Sequence, residues 1–241
     1  MTTPGQARAS AGLAASRWKR LSDRAWSGLL DLLYPPRCAG CGRVDTHWCA
    51  DCALAFRAAA GPLILAAPNP LAGAAAGRWH EGPGRAAVHT LKYENGRQMA
   101  DVLAVPMVEA LQTPGWTFDG LVPVPLHATR LKDRGYNQAE WLAEAVASRM
   151  GVECLPNALV RTRNTPHQVG AGAAGRRANM EGAFEPVGDA LRGRLLILVD
   201  DVFTTGATLQ ACAEAALAGG AGTVFSLTAT AARAGARAAQ Q

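Results

Sequence analysis

No apolar run in this 241-residue chain reaches the roughly 18 residues that a membrane-spanning helix needs. Arg57, Pro62, Pro68 and Pro70 interrupt the richest candidate, 53–71. The N-terminal stretch holds Arg8 but no continuous apolar segment of the signal-peptide kind. The sequence therefore predicts no membrane span, no secretory leader and a cytoplasmic location. Charged residues are scarce at 18 % while hydrophobic ones reach 49 %, so the chain can bury a core and is not of the disordered class. Neither a Walker loop, GxxxxGK(S/T), nor the dinucleotide fingerprint GxGxxG occurs between a strand and a helix. The net charge of +5 permits contact with phosphates or nucleic acid without demanding it. In the cytoplasm six cysteines read as metal ligands or buried thiols rather than disulfides.

Against those absences one stretch carries a specific pattern: residues 195–209, LLILVDDVFTTGATL. Its unbroken apolar run, with β-branched Ile197 and Val199, suits a strand buried on both faces of a parallel sheet. Asp200 and Asp201 then fall at the carboxyl end, where open α/β sheets bind ligands. Leu209, Cys212, Ala216 and Leu217 recur at helical spacing up to Gly219-Gly220, so Thr204, Thr205, Gly206, Ala207 and Thr208 sit on a helix N-terminus. Backbone N–H groups without helical partners favour a phosphate there. The acidic pair suits the vicinal hydroxyls of a sugar or a hydrated Mg²⁺. Phosphate and diol together imply a phosphorylated sugar.

Upstream, Cys38, Cys41, Cys49 and Cys52 form two CxxC pairs seven residues apart. Four thiolates make a closed structural Zn²⁺ site; an iron–sulfur cluster uses the same donors, and His47 could replace one ligand. Trp18, Leu21, Ala25, Leu29 and Leu32 share a helical face, predicting a basic amphipathic helix over 13–33 that rests on its own protein or on a membrane surface. The segment 53–77 reads as a short helix and an irregular connector, with a short strand over 78–82. Residues 86–91 and 98–111 are helical, broken by LKYENG, a helix end and turn.

DGLVPVPLH, 119–127, predicts a core strand running into a loop with His127, Arg130, Lys132 and Arg134, a second anion site at the same sheet edge. Asn137 opens a helix through Met150 that Gly151 stops. The aperiodic segment 161–184 has glycines at intervals and Arg163, Arg176 and Arg177, which suits a lid over a polyphosphate substrate. Residues 223–230 supply another strand.

VDDVFTTGAT resembles the ribose-phosphate motif of type I phosphoribosyltransferases, and the whole order resembles the ComF-type competence proteins, also called amidophosphoribosyltransferase-like proteins. The resemblance rests on LLYPPRCAGC with CADC, LKYENG, VPVPLHATRLKDRGYNQAE, RTRNTPHQ, RRANMEGAF and LVDDVFTTGAT. It implies an α/β fold: a type I phosphoribosyltransferase-like parallel sheet flanked by helices, over 78–231. A four-cysteine zinc-ribbon module with its helix would occupy 13–60, and tails 1–12 and 232–241.

The resemblance further implies phosphoribosyl pyrophosphate (PRPP) with Mg²⁺ as ligand. Asp200 and Asp201 would hold the ribose and Mg²⁺, and Thr204–Thr208 the 5-phosphate. Pro125, Leu126, His127, Arg130 and Arg134 would lie on the pyrophosphate side, and Arg163, Gln168, Arg176 and Asn179 in the lid. Ala171 and Gly175 depart from the family's leucine and glutamate, giving a smaller, less charged lid. The implied function is PRPP binding, with phosphoribosyl transfer to a nitrogen acceptor if active, linked to DNA uptake in natural transformation. The alternatives are a nonenzymatic accessory that binds single-stranded DNA or nucleotide, and a PRPP-sensing regulator. Few aromatics in the basic loops count against base stacking.

Overall fold

A computed structural model of the chain describes residues 35–164, 180 and 182–233. The helix expected over 13–33, the tail 1–12, most of the tail 232–241, and Gln168, Ala171, Gly175, Arg176, Arg177 and Asn179 of the expected lid lie outside the described residues. The chain divides into two units after Cys49. In the first, an antiparallel bridge joins Arg37 and Val44, and the Gly42 N–H donates back to the Cys38 carbonyl at 2.8 Å. Gly42 takes a left-handed φ of 76°, which lets the knuckle close.

The second unit begins with helix α1, Ala50–Ala58, and the strands β1, Leu63–Leu65, and β2, Gly73–Trp79. Helices α2, Gly82–Tyr93, and α3, Gln98–Gln112, lead to β3, Gly120–Pro123. Then come α4, Ala128–Arg134, α5, Gln138–Met150, and β4, Glu153–Cys154. A separate antiparallel pair is formed by β5, Leu159–Arg161, and β6, Phe184–Pro186. The chain closes with β7, Leu195–Phe203, α6, Ala207–Ala218, and β8, Thr223–Ala231.

The main sheet has the order β1-β2-β8-β7-β3-β4, parallel throughout except for β1. Its centre is β7, whose residues 196–199 are wholly buried, as the apolar run required. From β3 the chain moves outward to β4 through α4 and α5; from β7 it moves the other way, to β8, through α6. Right-handed crossovers in opposite directions put α5 and α6 on opposite faces of the sheet. The carboxyl ends of β3 and β7 therefore flank a topological switch point, where a crevice opens.

Local signals place several boundaries. The Asn137 side chain accepts a hydrogen bond from the Ala139 N–H at 3.1 Å and caps α5. Gly151, at φ 67°, ends that helix, and α6 stops at Gly219. The class expected, a parallel sheet flanked by helices, is the one observed.

Four readings of the sequence are corrected. The connector expected over 53–77 contains β1 and most of β2, and the strand expected over 78–82 is only the end of β2. Ala74, Ala75 and Ala76 show no period of two because both faces of β2 are buried against close neighbours. The loop expected to hold His127, Arg130, Lys132 and Arg134 folds as α4, with His127 as its N-cap. The strand expected to end at the acidic pair runs on to Phe203, since Val202 and Phe203 still pair with Thr230 and Ala231. The aperiodic segment 161–184 is anchored at its ends by β5 and β6.

Small residues on β2 let α3 sit close. A Cβ at Gly77 would meet the Ala229 carbonyl oxygen at 2.9 Å and Pro106 Cβ at 3.1 Å. Gly77→Val is therefore expected to cost about 1–3 kcal/mol through overpacking. Urea unfolding checks this, and an unchanged midpoint would contradict it.

Candidate functional site

Strand β7 delivers both carboxylates to the switch point, but they meet different surroundings. Successive residues of a strand point to opposite faces. Asp201 is 4 % exposed, and both its oxygens are taken: Oδ1 lies 2.7 Å from Lys92 Nζ, and Oδ2 accepts from Gln138 Nε2 at 2.8 Å. Lys92 stands in the last turn of α2 and Gln138 in the first turn of α5. The Gln138 amide oxygen in turn accepts from Arg134 Nη1, and the Arg134 guanidinium lies 5.5 Å above the Tyr93 ring. One chain of contacts so joins LKYENG, RGYNQ and VDDV.

Asp200 is partly exposed, and its Oδ1 accepts the Asp201 N–H at 2.8 Å. Burial and the neighbouring Asp201 charge push its carboxyl up to about 7, against the opposing pull of Lys92. Burial works to lower the Lys92 pKa, but the charge of Asp201 and the hydrogen bond to it prevail and raise it. The Lys92 ammonium is thereby the fixed counter-ion of the acidic pair. On the Asp200 side stand Arg161, which burial and the charge of Arg130 shift downward, and Cys212 of α6, whose thiol burial pushes up.

The residues expected to hold a phosphate follow directly. Thr204 is exposed, Thr205, Ala207 and Thr208 are partly exposed, and Gly206 is the buried N-cap of α6. Gly206 has φ 75°, and a Cβ there would meet Pro68 Cγ at 2.8 Å and the Phe203 ring at 3.0 Å. Only glycine fits that corner without displacement. The first amides of α6 have no helical acceptor and open onto the same edge as Asp200.

The parallel pairing of Pro123 with Val199 brings the end of β3 alongside. Pro125 there is buried, while Leu126 and His127 are partly exposed. His127 Nδ1 accepts the Thr129 N–H at 3.3 Å, and a parallel bridge ties His127 to Arg161. The Asn137 side chain donates to the Val124 carbonyl at 3.1 Å, fixing α5 to this loop. Arg130 is partly exposed, whereas Arg134 is turned toward Gln138 and Tyr93. Of the expected lid, Arg163 is exposed and its carbonyl accepts from Arg161 Nε at 3.4 Å.

Sequence reasoning on the residues missed Lys92, Gln138 and Arg161 as parts of the site. The signal available was a polar residue too apolar in its setting: Gln138 is 5 % exposed and Arg161 9 %. LKYENG was legible as a helix end, which it is, but its lysine also carries the counter-charge.

The four cysteines of the CxxC pairs bring their sulfurs within 4.8 Å of one another, close enough to hold a metal ion together. Cys41 is exposed and the other three are buried. Burial opposes ionisation of Cys38, but hydrogen bonds from the backbone of Cys49, Cys41 and Gly40 outweigh it and bring the thiol down to about 6. The Cys49 N–H donates to Cys38 Sγ at 3.3 Å. Such a donor set suits a soft or borderline cation. Among the described residues no helix is long and apolar enough to cross a membrane.

Asp200 also gives the fold a pH signature. The folded chain retains its proton up to about 7, whereas an unfolded aspartate releases it near 3.8. Between those values the folded state binds more protons, so stability falls as pH rises through that window. Asp200→Asn is expected to raise the melting temperature at pH 8 by several degrees and to lose that advantage toward pH 4. Thermal melts across pH check this, and a gain of the same size at both ends would contradict it.

No protein-family model matches the chain. It is 33 % identical over 145 residues to the DNA utilization protein YhgH of Escherichia coli O157:H7, a match covering 57 % of this chain and 62 % of that protein. It is 32 % identical over 130 residues to competence protein F of Haemophilus influenzae, covering 51 % and 57 %. The matched span is thus about three fifths of these relatives' length. Among solved structures, adenine phosphoribosyltransferase from Thermoanaerobacter pseudethanolicus overlaps 56 % of this chain and 68 % of its own at a TM-score of 0.35 and 19 % identity. Overlap at that TM-score is too slight to carry weight. Over the span shared with the curated relatives the chain is similar to proteins named for DNA utilization and for competence.

Proposed function

We propose that the chain binds PRPP at the switch point between β3 and β7, in the service of DNA uptake. The observation that carries this reading is the sequence of groups at the end of β7: a partly exposed carboxylate, then threonines, then a left-handed glycine that opens a helix. In this reading the amides and hydroxyls of Thr204–Thr208 take the 5-phosphate. The acidic end of β7 takes the ribose hydroxyls. Pro125–His127 and Arg130 border the pyrophosphate, with Arg161 behind them.

The acidic end of β7 would hold Mg²⁺, which would supply charge neutralisation of the departing pyrophosphate. The chain's own residues orient the sugar so that the C1–oxygen bond breaks with its electron pair leaving on pyrophosphate, while a nitrogen nucleophile forms the new bond from the opposite face. Asp200 stabilises the positive charge that develops on the sugar. Catalysis by positioning and electrostatics needs no nucleophilic side chain. The link to DNA uptake is supported by the relatives named for DNA utilization and for competence.

The module around Cys38, Cys41, Cys49 and Cys52 holds a structural Zn²⁺ in this reading. Four sulfurs close the tetrahedral shell, so the metal stabilises a segment too small to build an apolar core.

Calorimetry with PRPP and Mg²⁺ on the intact chain tests the site: saturable one-to-one binding is expected, and no heat of binding from folded protein would sink the proposal. Metal analysis of anaerobically purified protein is expected to give one zinc per chain, lost in Cys38→Ser. Iron with acid-labile sulfide would replace zinc with a cluster.

A further inference from the structure

The two carboxylates of the acidic pair do not have the same access to a ligand. Asp201 is enclosed, and each of its oxygens already has a partner, an ammonium at 2.7 Å and an amide at 2.8 Å. Its carbonyl also accepts from the Thr230 hydroxyl at 3.4 Å, and Thr230 Oγ1 lies 2.8 Å from His80 Nδ1. Asp200 keeps partial exposure and faces the α6 and β5 side of the sheet. Each Asp201 oxygen keeps a second lone pair, but at 4 % exposure a sugar hydroxyl reaches it only if Lys92 or Gln138 gives way, stranding a buried polar group.

We propose that Lys92 is a positioning residue that holds Asp201 away from the ligand as an internal anchor, leaving Asp200 as the single carboxylate of the pair that takes the sugar hydroxyls. The proposal rests on the phosphosugar reading of the site. In it, the Lys92 ammonium supplies at Asp201 the positive charge that a divalent cation would otherwise have to supply. The net charge presented to an incoming polyanion is that of one carboxylate, not two, which lowers repulsion toward a ligand carrying several phosphate charges. Through Gln138 and Arg134 the same anchor fixes the start of α5 and the exposed Tyr93 turn, so three separate segments set the position of one strand end.

The test compares PRPP affinity, by calorimetry at low and high Mg²⁺, in the wild-type chain, Asp200→Asn, Asp201→Asn, Lys92→Gln, Lys92→Arg and the double variant K92Q/D201N. Asp200→Asn is expected to weaken binding about 100-fold, the loss of a charge-assisted hydrogen-bond set. The neutral pair K92Q/D201N, which preserves shape and hydrogen bonding, should weaken it less than about tenfold. Lys92→Gln alone leaves Asp201 unpaired beside Asp200, so its affinity should fall and become markedly more Mg²⁺-dependent, and Lys92→Arg should restore the wild-type Mg²⁺ response. A merely structural lysine would lower the melting temperature without altering that response. Should Asp201→Asn not fold, the neutral pair carries the same comparison. Wild-type binding together with a neutral pair as damaged as Asp200→Asn would overturn the proposal alone. Absence of PRPP binding by the folded wild-type chain would overturn the phosphosugar reading and the proposal with it.

Discussion

The ion pair between Lys92 and Asp201 is the contact on which the site depends. Two adjacent carboxylates at the end of a buried strand repel one another and lose hydration, which pushes the Asp200 carboxyl up to about 7. Without a neighbouring cation the two carboxylates would stand side by side with no counter-charge inside the fold. Lys92 eases that conflict from the inside, in direct contact with Asp201 alone. The site is asymmetric as a consequence: one acid is part of the protein's interior and the other remains available.

The topology explains why the lysine, the glutamine and the carboxylate meet. Helix α2 precedes β3, α5 follows it, and β7 lies beside it, so the carboxyl edge of the sheet collects residues from all three. Opposite crossovers from β3 and β7 part the two loops and leave a crevice between them. On one side of that crevice a helix N-terminus begins at Gly206; on the other, His127 caps a short helix. Both are positions where backbone amides without helical acceptors face outward.

How much of this was legible in the sequence varied with the range of the interaction. The buried strand at 195–199, the threonine loop, the caps at Asn137 and the stops at Gly151 and Gly219 are local, and their residue types announce them. Strand β2 was hidden because alanine and glycine show no alternation when both faces are packed. The basic segment after β3 looked like a loop, since seven residues with charged and polar side chains give little helical pattern. Lys92 and Gln138 were the deepest omissions. Gln138 reaches Asp201 from 63 residues away, and nothing local to a helix end distinguishes a lysine that balances the macrodipole from one that neutralises a buried acid. The four cysteines, by contrast, were legible from spacing alone, and their sulfurs do converge.

The most direct test of this asymmetric site is a structure of the chain with ribose 5-phosphate bound. The phosphate should lie on the amides of Ala207 and Thr208 at the start of α6, with the ribose hydroxyls on Asp200 and the Lys92–Asp201 pair intact. A sugar held by Asp201 with Lys92 displaced, or a phosphate bound away from α6, would contradict the account.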